Sequence, residues 1–289
     1  MLPAAADHAG PPTGAAEPMP DAPVPIRPMQ FRELLDRPFG LVQSRIKQLA
    51  AMSGWAVLLT AGLAFGITAL TSVATDDSDA AVAVAAVLAT LLSIWLLRLY
   101  VRGVTTTVCL AAVHGQRPGW RAALDRVAAH AGPLTLYQVK YTLIGIGVLA
   151  LGTPLIITLP MAAVWLGWLR ARQYPTASVI FDESATASVA AQRSKTLMGG
   201  TEWQIVGLWL YLRALLVVLI LPMLLALDLI SDISGTRRWT VTALIITAVL
   251  ILTAFAETIE SATQVVVTVD RRCRREAWDI RIPRIGGQR

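Results

Sequence analysis

Lys140, Arg213, Glu257 and Glu260 are ionisable residues set inside stretches that are otherwise apolar, and chemistry in this chain has to begin with them. A charge in hydrocarbon is rare and faces a partner or a hydrated cavity. Arg213 and Glu257 fall at equal depth from the inner ends of the fifth and sixth apolar runs, which makes them expected partners. Thr253, Glu257, Glu260, Ser261, Gln264 and Thr268 continue one polar stripe at helical spacing, and Lys140 is expected to join it from the third run. Such a cluster suits a proton or ion relay, or a polar cavity for a lipid headgroup. It equally suits a structural ion pair that fixes helix register, with Lys140 snorkelling. The structural reading is favoured at this stage, because no second carboxylate cluster continues a path outward.

Other chemistry is missing its residues. There is no glycine-rich phosphate loop, no nucleophile elbow and no HExxH sequence. His8, His114 and His130 lie far apart, without cysteine or carboxylate at ligand spacing, so neither a metal nor another cofactor is expected. The reading is of a protein that is not an enzyme. Cys109 and Cys273 fall on the predicted cytoplasmic side, where thiols stay reduced.

The elements that position these residues are membrane helices. Hydrophobic residues make up 55% of the 289 and charged residues only 15%, with a mean hydropathy of +0.59. That balance places the chain outside the soluble range. The net charge of +6 does not signal a nucleic-acid partner, because the basic residues flank apolar runs instead of gathering on a soluble face. Flanking arginines orient helices and attract anionic headgroups of the bilayer.

Residues 1–28 are rich in proline and alanine and lack a signal-peptide core, so they read as a disordered cytoplasmic arm. Residues 29–49 form an amphipathic interfacial segment, with Phe31, Leu34, Leu35, Phe39, Val42, Ile46 and Leu49 at helical intervals. Pro38 is expected to break it in two. A six-span membrane domain over 50–270 follows, with runs at 50–73 and 80–101 forming a hairpin. Trp95, Arg98, Tyr100 and Arg102 close the second run as an interfacial belt. Residues 103–132 are expected to hold a second surface helix, and 133–172 two short helices with a tight outer turn, or a re-entrant pair. The next spans run over 203–230 and from 241 onward, and the basic tail over 271–289. Basic residues concentrate on one set of loops, which predicts a multi-pass protein of the plasma (inner) membrane with both termini cytoplasmic.

A resemblance rests on three short elements. Arg27-Pro28-Met29 precedes Glu33-Leu34-Leu35-Asp36 and Phe39; Arg193-Ser194 precedes Leu197, Gly200 and Trp203; and Val269-Asp270 precedes Arg272, Arg274-Arg275-Glu276 and Asp279. Together they resemble bacterial six-helix membrane proteins related to the membrane domain of glycerophosphoryl diester phosphodiesterases. The resemblance implies an all-α polytopic bundle with amphipathic cytoplasmic helices, and no catalysis in this chain, since the phosphodiesterase itself is a separate soluble barrel. It also draws attention to a cytoplasmic face of Arg193, Ser194, Trp203, Arg272, Arg274, Arg275, Glu276 and Asp279. Arg193 with Glu276 or Asp279 would either hold inner loops together or receive a protein partner. The expected function is therefore a non-catalytic scaffold or accessory subunit of a membrane complex, with a small transporter or lipid-handling protein as the alternative.

Overall fold

The computed structural model describes residues 26–76, 78–152, 158–234 and 238–277, and these residues are helical throughout apart from short turns. Helix α1 (Phe31–Ser44) starts where the Gln30 N–H donates to Glu33 Oε2 at 3.1 Å, half of a reciprocal capping arrangement. Pro38 lies inside α1 without ending it. A proline in a helix forfeits one backbone bond, and its buried ring here compensates by packing. The break comes instead at Arg45, after which α2 (Ile46–Ala74) begins.

Helices α2 and α3 (Asp79–Val113) form the expected hairpin, and α10 (Arg238–Glu276) packs along it. Their seam is built from Ala56, Val57, Ala64, Ala89, Leu97, Val101, Ile246, Leu250 and Ala254. Small residues let backbones approach where lipid removes any hydrophobic drive between helices. Leu58, Leu70, Leu88 and Leu91 face outward on the same helices, as lipid-facing positions would.

The sequence reading ended the second span at Val101, but α3 continues to Val113. Every residue from Val101 to Val113 on α3, and from Glu257 to Cys273 on α10, is buried. A helix buried all round is enclosed by protein. The enclosure consists of α1, α7 (Thr176–Glu183), α8 (Ala187–Met198) and the start of α9 (Glu202–Ser234), which contribute Leu34, Leu41, Ile180, Phe181, Leu197, Met198 and Ile205 to one core. The fold thus has a half with outward-facing apolar side chains and an enclosed half, and the two long helices run through both. Helix α4 (Trp120–Ala129) lies beside the enclosed half against Leu49, Met52, Val104 and Val108.

Among the described residues four helices are long and apolar enough to cross a membrane: α2, α3, α5 (Ala131–Gly152) and α10 from Val241. A fifth arises if α8 and the first part of α9, bent by 104°, are taken as one broken span. The described residues thus bear out an all-α protein with several span-length helices and leave the count of six unconfirmed. Among its described residues the region 133–172, expected to hold two short helices or a re-entrant pair, is unequal. It holds one full-length helix, α5, and one of 13 residues, α6 (Leu159–Ala171), at about 20 Å too short to cross alone. At the α8–α9 bend Gly200 takes a left-handed φ of +81°, which glycine adopts without strain.

Candidate functional site

Glu257 and Glu260 project from α10 one turn apart, at the level where the enclosed half begins. From Asp79 to Arg98 on α3, and from Arg238 to Glu257 on α10, there is about 28 Å of helix, close to the thickness of a hydrocarbon layer. A layer of that thickness spanning these two stretches would end at the level of the cluster.

Glu257, 2% exposed, accepts from two arginines of α3: Arg98 Nε at 2.7 Å and Arg102 Nε at 2.6 Å. Arg102 is also almost fully buried. It donates through a second nitrogen to Gln138 Oε1 at 3.0 Å on α5, and its guanidinium lies 5.6 Å from the Tyr137 ring centre. Glu260 pairs with Arg213 of α9, and Arg170 of α6 stands 3.7 Å away. Arg170 and Arg213 both lie over the Trp209 ring, at 5.8 and 5.5 Å. The partnership expected between Arg213 and Glu257 is thus replaced by Arg213 with Glu260. Equal depth was satisfied by both carboxylates, and the rotation of α10 decides which one faces α9.

Lys140 does not join the cluster. It is exposed on the outer side of α5, while Gln138 turns inward. Gln264 is buried one turn beyond Glu260, with its Oε1 lacking a hydrogen-bond partner among the described residues. Sequence reasoning missed Arg98, Arg102 and Arg170 because arginines near the end of an apolar run read as a headgroup belt. Their signal was the i,i+4 spacing of Arg98 and Arg102, which puts both on one helix face.

Beside Arg213 and Glu260 opens a cavity of about 180 Å³ between α1, α9 and α10. Phe39, Trp209, Leu212, Leu216, Phe255 and Ile259 are among its walls. Apart from the ion pair and the Trp209 indole, the lining is hydrocarbon.

The second constellation holds the enclosed half together. Arg272 pairs with both Asp182 and Glu183 of α7, and Arg193 of α8 reaches Glu183 at 3.4 Å and pairs with Glu276. Asp270, fully buried, accepts from the Met29 N–H at 2.8 Å and from Arg274 Nε at 2.9 Å, while Arg274 also donates to the Met29 carbonyl. Arg275 donates to the carbonyls of Thr196 and Gly199, covering the open end of α8 at the bend. Ser194 is buried and accepts from Thr176 Oγ1 at 3.0 Å. Of the residues marked for a partner face, these are turned to neighbours within the chain. Trp203, 67% exposed, points outward. Asp279 lies outside the described residues.

Burial pushes the Asp182 carboxyl up, but the His114 contact at 3.3 Å and the Arg272 guanidinium outweigh it and hold the group below its ordinary value. A carboxylate lowered in the folded state contributes stability that is fully present above its unfolded value, about 3.9, and lost as pH falls through the folded value. Below about pH 4, α7 is therefore expected to loosen from α10. Hydrogen exchange of Thr176–Glu183 should rise on acidification, and Asp182→Asn should flatten that rise.

No protein family, no curated protein and no solved structure matches the chain.

Proposed function

We propose that this chain is a non-catalytic, multi-pass membrane protein that handles lipid, holding an anionic headgroup at Arg213. The observation that carries the reading is the cavity. Its walls are apolar, its polar end is an arginine-carboxylate pair, and it lies at the edge of the span-length apolar stretches of α3 and α10. A lipid phosphate sits at that depth in a bilayer, with its chains alongside Leu212, Leu216 and Phe255. In this reading the protein lies in the plasma membrane with both termini cytoplasmic, and α6 and α9 complete six spans as an unequal pair with the others. The relation to the six-helix proteins of the phosphodiesterase type is part of the same proposal.

A scaffold or accessory-subunit role draws support from one feature, the exposed Trp203 at the start of α9. Arg193 and the tail arginines lend it less, since they are engaged within the chain.

Purification from native membranes in mild detergent, followed by lipid and protein identification, tests the choice. An anionic lipid should co-purify in fixed ratio and be depleted by Leu216→Trp, which fills the cavity without touching a charge. A protein in fixed ratio, with lipid content unaltered by that change, would replace lipid handling with the scaffold.

A further inference from the structure

Outward of the charged cluster the apolar packing falls into two separate seams. One binds α2, α3 and α10 through Ala64, Ala89, Leu97, Leu250 and Ala254. The other binds α5 to α6 through Val148, Ala162 and Leu166, and α6 carries α9 so closely that a Cβ on Gly167 would stand 3.3 Å from the Trp209 ring. No described residue belongs to both seams. At the enclosed end the two groups merge, and Leu134, Tyr137, Ile205 and Leu208 join Ala262 and Val265 in one core. We infer that α9 is the leaf of a lateral gate: carried by α6, it parts from α10 at bilayer level by swinging from the α3–α5 side, with Arg213 and Glu260 as the latch. The inference goes beyond the lipid-handling reading and rests on it only for what passes the gate.

The two edges that join these groups differ in kind. On one, α3 meets α5: Trp95 Nε1 donates to Thr142 Oγ1 at 3.0 Å, and Arg102 donates to Gln138 Oε1 at 3.0 Å. Trp95 and Arg102 lie about two helical turns apart, so the bonds fix a line along that edge. On the other edge α9 meets α10 at Glu260, which takes Arg213 directly and Arg170 at 3.7 Å. Immediately outward of that pair the cavity separates the two helices, with Leu216 on one side and Phe255 on the other. Arg213 is 33% exposed, and a partly exposed ion pair is a modest tie. Arg102 and Gln138 on the opposite edge are buried.

Parting leaves no carboxylate stranded. Glu257 and Glu260 stay together on α10 with Arg98 and Arg102 of α3, two charges of each sign, and Glu260 already lies in the field of both arginines. Arg170 travels with α9, over the Trp209 ring that both share. In the closed arrangement Arg213 is engaged by Glu260. Opening frees it, so on the lipid-handling reading a headgroup exchanges with Glu260 as the gate parts.

The base of α9 has a joint suited to this motion. It leaves α8 at a bend of 104°, where Gly200 holds a φ of +81°. Glycine passes between left- and right-handed conformations without steric cost. Helix α8 itself stays with α10, tied by Arg275 on the Thr196 and Gly199 carbonyls and by Arg193 on Glu276. Gly200 thus stands where a moving helix joins a fixed one, the place at which hinges absorb their change of backbone angle.

Spin labels on the full chain, in nanodiscs of phosphatidylcholine with phosphatidylglycerol, read the two edges by pulsed electron-electron resonance. One pair, Leu221→Cys with Ile251→Cys, spans α9 and α10; the other, Leu92→Cys with Leu143→Cys, spans α3 and α5, and all four positions are exposed. Cys109 and Cys273 are buried and take little label. With the latch intact, the α9–α10 pair should show one main distance and a longer minor population of about 10% or less. Glu260→Gln should enlarge that population several-fold, at distances longer by about 5 Å or more, the scale on which packed elements shift between two states. The α3–α5 distance should stay the same. Arg213→Gln opens the latch from its other half and should act alike, which keeps the test if Glu260→Gln fails to fold. An α9–α10 distance unchanged in both variants would overturn the gate, and so would equal broadening of both pairs, which marks general loosening. Lipid identification alongside separates the two readings. An unmoved α9 with anionic lipid still depleted by Leu216→Trp overturns the gate and leaves lipid handling, whereas a moving α9 with no co-purifying lipid upholds the gate and removes lipid handling.

Discussion

Replacing Glu257 with alanine is expected to cost about 3–5 kcal/mol of stability, the range for breaking a buried ion pair by removing one partner. The change leaves Arg102, 4% exposed, and Arg98 as neighbouring cations with nothing between them. Gln138 satisfies one nitrogen of Arg102 but carries no charge to offset it. Thermal unfolding in nanodiscs, followed by tryptophan fluorescence, would show a large downward shift. Converting Arg102 to methionine in the same chain should recover much of it, because a similar volume then packs without charge. Additive losses in the double variant would mean that Glu257 and Arg102 do not act as a pair. If the cluster holds an anion as proposed, Glu257→Ala should also raise anion occupancy in the molecules that fold, since two more donors become free.

The second large effect is at Asp270. This carboxylate, fully buried on α10, receives the Met29 N–H and the Arg274 guanidinium, and Arg274 closes the loop on the Met29 carbonyl. The chain entering α1 is thereby fastened to the far end of α10. Asp270→Ala strands a buried backbone donor, and the cost is about 1–3 kcal/mol for that group alone. Its main readout is local: hydrogen exchange across Phe31–Ser44 should accelerate strongly, while α2 and α3 remain protected. Since Phe39 of α1 forms one wall of the cavity, lipid retention should fall with it. Unchanged exchange in α1 would show that hydrophobic packing of Leu34 and Leu41 holds the helix without the clamp.

Much of this was written in the sequence. Long apolar runs broken by charged turns demanded helices in a bilayer, because only a helix satisfies its own backbone where water is absent. Two carboxylates on α10 and one arginine on α9 marked a polar site inside them, and the pairing of Arg193 with Glu276 was among the alternatives the family resemblance offered.

What the sequence could not give was azimuth and enclosure. Helical spacing assigns residues to a face of their own helix, but not the neighbour that face meets. Only packing decided that Glu257 turns to Arg98 and Arg102, that Glu260 turns to Arg213, and that Lys140 turns out. Hydropathy likewise measures affinity for lipid and cannot tell a headgroup layer from a protein interior. Arg98 and Arg102 ended an apolar run and read as the edge of the membrane. In the fold the same helix goes on for another three turns, into a core that α1, α7 and α8 close around it. The composition of α3 and α10 determined that they are long and apolar enough to cross a hydrocarbon layer. Their neighbours, brought together from distant parts of the chain, decided where the enclosed half begins and that four arginines gather there around two carboxylates.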